Sequence, residues 1–90
     1  MKQDNIAISS LAMDLKRVAM GFYKGSGKTA RRFCEEALKR RNEIRQESVK
    51  PYLRKLLKKL PVMLSQKDES KIAEDALMYS TIFQNYILRN

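Results

Sequence analysis

Apolar residues recur along this chain at intervals of three and four, the spacing that places side chains on one face of an α-helix. In the first such stretch Ile8, Leu11, Leu15, Val18 and Phe22 form a continuous apolar line. Comparable lines follow in residues 30–44, 49–64 and 72–88. The pattern predicts four helices, over about residues 7–22, 28–46, 49–60 and 66–88.

Serine and proline residues mark the limits of the third and fourth predicted helices. Ser48 is suited to cap the third helix, with Pro51 in its first turn, where the missing N–H costs nothing. Pro61 is expected either to end this helix near residue 59 or to kink its last turn, because proline disfavours the helical conformation in the residue before it. Ser65 then begins the fourth helix.

The connections between the predicted helices are short, about three to six residues each, so consecutive helices should run antiparallel. The 90 residues suit a single domain, and three glycines and two prolines are too few for many short strands. We therefore predict an all-α fold, a small up-down-up-down four-helix bundle over residues 1–90. The alternative is a three-helix core with one helix contributing to an oligomer.

The residue types that dominate metal sites and acid–base catalysis are nearly absent. The chain contains no histidine and one cysteine, Cys34, which cannot form an internal disulfide and lies among helical apolar positions. We therefore predict a packed thiol at Cys34, no metal site, no cofactor and no enzymatic activity.

No stretch reaches the roughly 18 apolar residues of a membrane span, and the N-terminus does not resemble a signal peptide. These features predict a cytoplasmic protein.

Positive charge is concentrated in the third predicted helix. The chain has 19 lysines and arginines against 10 acidic residues, a formal net charge of +9. Residues 49–64 contain no acid and five bases, Lys50, Arg54, Lys55, Lys58 and Lys59. This face either keeps a small domain in solution or contacts nucleic-acid phosphates. An anionic membrane surface fits less well, because the leucines of the same helix are needed for the core.

A second basic cluster surrounds the predicted turn between the first two helices. The segment from Gly21 to Thr29 resembles a phosphate-binding loop, but Phe22 stands where that motif needs glycine, and the preceding residues have helical periodicity. A helix start can still bind an anion through its free N–H groups. The candidate residues for such a contact are Lys24, Ser26, Gly27, Lys28, Arg31 and Arg32. Alternatively Gly25 and Gly27 only form the turn, with Ser26 or Thr29 as the N-cap.

The fourth predicted helix is more apolar than a surface helix requires. Tyr79, Ile82 and Tyr86 lie at spacings of three and four, as expected for a stripe that faces a partner. This pattern predicts association through these residues, with a homodimer as the first form to consider. The alternative is a central position of this helix within the bundle.

Two functions fit the sequence. The first is a small non-enzymatic binding module whose basic face contacts nucleic acid without strong sequence specificity. The second is an oligomeric helical protein that interacts with another protein, for example an acidic one, and uses its lysines for solubility or steering.

Overall fold

The structure is a computed structural model that describes residues 2–89, with side chains from Asn5 to Arg89. This part of the chain forms four α-helices, α1 (Lys2–Tyr23), α2 (Gly27–Asn42), α3 (Pro51–Leu64) and α4 (Glu69–Arg89). A short 3-10 helix, Gln46–Ser48, lies between α2 and α3. The described residues contain no β-strand, so the all-α prediction is confirmed.

Contacts between the helices establish the order in which they are arranged. In three neighbouring pairs, α1 with α2, α1 with α4 and α3 with α4, the contacts move towards the end of one helix as they move towards the start of the other, so these helices run antiparallel. Such contacts join Gly21 to Ala30 and Asp14 to Arg40, Ser9 to Leu88 and Ala12 to Ser80, and Tyr52 to Tyr86 and Gln66 to Asp75. Helix α1 packs most extensively against α2 and α4, while α3 lies against those same two helices. The fold is therefore an up-down-up-down bundle in which α1 and α3 are diagonally opposed.

The apolar faces predicted from the spacing form the core of this bundle. Ile8, Leu11, Leu15 and Val18 of α1 are fully buried, and Phe83 of α4 lies among them. Cys34 is also buried, as predicted. The core is therefore the one that the helical periodicity indicates, and the described chain fits within 36 × 20 × 19 Å.

Helix α1 ends at Tyr23 and is followed by a glycine in the left-handed conformation. Gly25 has φ +78°, its N–H donates to the Phe22 carbonyl at 3.1 Å, and the N–H of Ser26 donates to the Gly21 carbonyl at 2.7 Å. This pair of bonds is the Schellman arrangement, which satisfies carbonyls at a helix end and favours glycine at that position. The predicted turn is confirmed, and Ser26 becomes the N-cap residue of α2.

The predicted limits of the first two helices are wrong by a few residues. Helix α1 begins at Lys2 rather than near residue 7, and because residues 2–5 are polar, the apolar spacing contains no sign of this first turn. Helix α2 ends at Asn42 rather than near residue 46. The N–H of Ile44 donates to the carbonyl three residues earlier, at 3.1 Å, which tightens the last turn instead of extending the helix. Ile44 nevertheless packs into the core from this turn.

The other two helices begin later than the sequence predicts. Helix α3 begins at Pro51, not at 49, because proline holds the preceding residue in an extended conformation. Lys50, and not Ser48, is therefore the N-cap residue of α3. Helix α4 begins at Glu69 rather than near 66, because the carboxylate of Asp68 accepts the N–H three residues further on, at 3.3 Å, and caps this end.

Of the two alternatives at Pro61, the end of α3 near residue 60 is wrong, since the helix continues through Pro61 to Leu64. Pro61 has no N–H to donate to the Leu57 carbonyl one turn earlier. Instead, Nε of Arg41, which belongs to α2, donates to that carbonyl at 2.6 Å. Ser65, predicted to begin α4, ends α3, and its hydroxyl donates to the Val62 carbonyl at 2.8 Å.

Candidate functional site

The basic side chains of α3 point away from the core, with one exception. Lys50, Lys55, Lys58 and Lys59 are exposed. Arg54 is half-buried, and its guanidinium donates to the carbonyls of Gln46 and Val49, at 3.1 Å in each case. Arg54 therefore holds the turn before α3 in place and is a weaker candidate for phosphate contact than its neighbours.

Lys55, Lys58 and Lys59 share one solvent-facing surface of α3, opposite its leucines, and we call these three residues the lysine face. Val62, which is 71% exposed, lies on the same side of the helix. None of the three lysines forms an ion pair with a carboxylate within the described part of the chain. No carboxylate of the described residues is within ion-pair distance of them, and Asp75, which lines the same groove as Lys58 and Lys59, pairs with Lys71.

Most acidic side chains in the described chain, unlike the three lysines, take part in ion pairs. Five of them form an ion pair with a lysine or arginine, namely Asp14, Glu36, Glu43, Glu69 and Asp75. Their bases belong to α1, α2 and α4. The lysine face is thus one of the places where positive charge is left without an ion pair among the described residues; the exposed Lys24, Lys28 and Lys50 are others.

The basic cluster at the start of α2 is partly occupied by the chain itself. Arg31 donates to the Glu69 carboxylate at 2.9 Å, across the end of the bundle. The same carboxylate lies close to Gly27, with Oε2 3.9 Å from the position that a Cβ would take. An internal anion therefore stands near the N–H groups that the sequence indicated as an anion site. Lys24 and Lys28 remain exposed beside it.

A small groove between α1 and α2 borders this cluster. Its volume is about 210 Å³, and Arg17, Lys24, Ser26, Thr29 and Phe33 are among the residues that line it. The hydroxyl of Ser26 makes no capping hydrogen bond to α2. The groove presents polar groups and one aromatic ring, but it is shallow and holds no enclosed pocket.

Arginines in this region stack on aromatic rings. The guanidinium carbons of Arg17 and Arg32 lie 5.4 and 5.8 Å from the centre of the Phe33 ring. Arg31 lies 5.7 Å from the centre of the Phe22 ring. Arg32 thus stacks on a ring of its own helix and Arg31 on a ring of α1, so neither is a freely extended cation.

The bundle brings some of the predicted contact residues together and separates others. The end of α1, the start of α2 and the start of α4 meet at one end of the bundle, where Arg31 contacts Glu69 beside Lys24 and Lys28. Lys58 and Lys59 lie elsewhere: they line a groove with Tyr79, about 15 Å along α4 from Glu69, and Leu57 next to them contacts Arg41 near the end of α2. Lys50 precedes α3 and lies at the other end, about 13 Å from Lys59 along the helix axis at 1.5 Å per residue. The two basic clusters are therefore separate surfaces of the bundle.

The predicted interface residues lie mainly inside the chain, which corrects their expected outward orientation. Tyr79 and Tyr86 are buried, and Ile82 is half-buried against the core. The Tyr86 ring meets Tyr52 of α3 edge-on at 6.1 Å, and Tyr79 meets Phe83 in the same way and at the same distance. Helix α3 covers this flank of α4, so the alternative of a central helix describes these residues better. Association of the chain stays a prediction.

The sequence did not indicate the buried ion pair between α1 and α2. The Asp14 side chain is only 6% exposed, with Oδ1 3.3 Å from Arg17 and Oδ2 3.8 Å from Nε of Arg40. Burial raises the pKa of Asp14 above its ordinary value of 3.8, against the opposing effect of the two arginines. In the sequence, the burial of Asp14 is indicated only by its position. It lies at the edge of the apolar stripe of α1, three residues after Leu11.

The described residues contain no group of carboxylates and thiols arranged to hold a metal ion. Burial raises the pKa of the Cys34 thiol, which keeps it protonated and unreactive. No helix in the described range combines the length and apolar character needed to cross a membrane.

Comparison of the chain with protein-family models, curated proteins and solved structures found no match. The structural class of the protein therefore follows from its own fold, a small all-α bundle, with exposed lysines on α3.

Proposed function

We propose that this protein is a non-enzymatic binding module that contacts nucleic-acid phosphates through the lysine face. The observation that carries the proposal is that three exposed lysines stand together on a helix without acidic residues. Lys55, Lys58 and Lys59 project to solvent from α3, which contains no acid. Neutralising phosphates with lysines releases condensed counterions, which drives association. A cytoplasmic location, in agreement with the lone cysteine, stays a prediction.

The same surface supports binding without strong sequence specificity. Lysine ammonium groups on flexible stems act as point charges, whereas reading a base edge favours planar, fixed donors such as arginine or asparagine. The arginine of this helix, Arg54, is occupied by backbone carbonyls. We therefore expect contacts to phosphates rather than to bases.

The test is binding of fluorescent DNA and RNA oligonucleotides, measured by anisotropy over a salt series. Lys58→Gln combined with Lys59→Gln removes two charges from the lysine face. The matched control combines Lys16→Gln and Lys39→Gln, which removes the same charge from exposed positions of α1 and α2. The logarithmic salt slope should decrease by about 0.9 for each phosphate that the variant no longer neutralises.

We expect the slope and the affinity to fall in the first double variant and to change little in the control. An equal decrease in both variants would show that net charge, and not the lysine face, determines binding. Absence of binding even at low salt would contradict the proposed function altogether.

A second candidate function is association with another copy of the chain. The observation in its favour is that Leu77 and Met78 of α4, which are 38% and 51% exposed, are large apolar side chains that the bundle does not cover. Light scattering over a concentration series measures the mass directly. A monomer at every concentration would remove this candidate.

A further inference from the structure

Three apolar residues form a straight line on the solvent side of α1. Ile6, Met13 and Met20 are 66%, 44% and 40% exposed and are spaced by seven residues. Seven residues are close to two helical turns, so each lies about 10.5 Å above the last on the same face. We call this line the heptad stripe. It spans about 21 Å, the length of a helix of about 14 residues.

The heptad stripe is separate from the core and from the lysine face. The core side of α1 carries Leu11, Leu15 and Val18, all fully buried, which lie on the opposite side of the helix. Because α1 and α3 are diagonal in the bundle, the stripe and the lysine face point in opposite directions. Scattered apolar residues are common on protein surfaces, but these three share one line along a single helix, at a regular spacing of seven residues.

A neighbouring residue of α4 widens this apolar surface. Leu88 is 82% exposed and lies beside Ser9, which falls between Ile6 and Met13 along α1. A partner helix lying on the stripe would therefore also touch the end of α4. Methionine suits such a surface, because its flexible thioether adapts to the shape of a partner.

The flanks of the heptad stripe carry positive charge. Residues three and four positions after Met13 are Lys16 and Arg17, and Lys24 is four positions after Met20. All three are exposed. Asp14, the acid of α1 among the described side chains, is buried and pairs with Arg17 and Arg40, so the unpaired charges of these flanks are those of Lys16 and Lys24. Beside Ile6, Glu43 pairs with Arg40. In helix-on-helix packing these flanking positions face the flanks of the partner, where opposite charges select it.

We propose that the heptad stripe binds an amphipathic α-helix of another protein, one with an apolar seam bordered by acidic residues. A second copy of this chain is a poorer occupant, because it would bring a further net charge of +9 and the same basic flanks to the contact. The acidic helix supplies both the apolar seam and the complementary charge. This surface does not depend on nucleic-acid binding by the lysine face.

The test uses a fluorescent synthetic peptide about three heptads long, with leucine in its seam and glutamate on its flanks. Mutual repulsion of the glutamates disfavours pairing of the peptide with itself. A second peptide has lysine in place of every glutamate. We expect the acidic peptide to bind at least about tenfold more tightly than the basic one and to gain helicity on binding.

The protein variant is Met13→Glu, and its matched control is Met78→Glu, which adds the same charge at an exposed position of α4. Met13→Glu should weaken binding of the acidic peptide by at least about tenfold, as expected for the centre of an interface. Met78→Glu and the double variant Lys58→Gln with Lys59→Gln should retain binding. Both methionines are exposed, so circular dichroism should show unchanged helix content.

Three results would overturn the proposal. The first is no binding of the acidic peptide, and the second is equal weakening by Met13→Glu and Met78→Glu, which would indicate attraction by net charge alone. The third is a dimer of the wild type that Met13→Glu dissociates, which would assign the heptad stripe to a second copy. Nucleic-acid binding would be untouched by any of these, so the two functions fail independently.

Discussion

The helix that continues through Pro61 provides the sharpest test of how this fold is held together. A proline inside a helix costs about 3 kcal/mol, partly because the carbonyl four residues earlier loses its donor. That carbonyl belongs to the fully buried Leu57. Nε of Arg41 donates to it at 2.6 Å from the neighbouring helix. We infer that Arg41 compensates for the N–H that Pro61 lacks.

The perturbation is Arg41→Met, which keeps an apolar stem of similar length and removes the donor. A buried carbonyl left without its partner costs about 1–3 kcal/mol. In a domain of this size 1 kcal/mol corresponds to about 4–8 °C in Tm. We therefore expect a clear loss of stability in urea unfolding followed by circular dichroism, and a lower Tm.

Pro61→Ala makes this expectation specific, because it restores a backbone N–H that can donate to the Leu57 carbonyl. The free energy lost on Arg41→Met should then be smaller by about 1 kcal/mol or more in the Pro61→Ala background than in the wild type. The stabilised background also keeps the measurement possible if the single variant is largely unfolded. An equal loss in both backgrounds would refute the proposed compensation.

Two further predictions concern the contact between α1 and α2. Asp14 has a raised pKa in the folded state, so its contribution to stability is complete below pH 3.8 and is lost as the pH rises through the raised pKa. The free energy of unfolding of the wild type minus that of Asp14→Asn should therefore fall as the pH rises above about 4, and a difference independent of pH would contradict the assignment. Gly21→Ala would place a Cβ 2.9 Å from that of Ala30 and should cost about 1–3 kcal/mol in urea unfolding. Gly27→Ala is its control, since the nearest atom to the added Cβ is a carboxylate oxygen at 3.9 Å, and equal effects of the two changes would be inconsistent with the close approach.

The helices, their inward faces and the turn at Gly25 follow from the sequence because they depend on local spacing. Apolar residues three and four apart share a face whatever that face later meets, as Ile8, Leu11 and Leu15 show. Gly25 needs no tertiary contact to adopt a positive φ. The concentration of lysines in residues 49–64 is likewise a property of the sequence alone.

The tertiary structure decided which of the polar and aromatic residues remain available at the surface. Arg54 bonds to carbonyls in the turn before its helix, and Arg31 pairs with Glu69, which is 38 residues away. Tyr79 and Tyr86 are buried because α3 covers their side of α4. Periodicity reports the spacing within one helix and carries no information about what lies opposite it.

The heptad stripe is a second case in which the sequence does not show which helix face is exposed. Ile6, Met13 and Met20 are apolar, yet their spacing places them out of phase with the core residues of α1. Only the packing of α2 and α4 on the opposite side of α1 shows that this line stays uncovered. The sequence alone determined the helices and the charge of this protein, and the arrangement of neighbouring helices decided which faces it presents, because burial depends on residues distant in the chain.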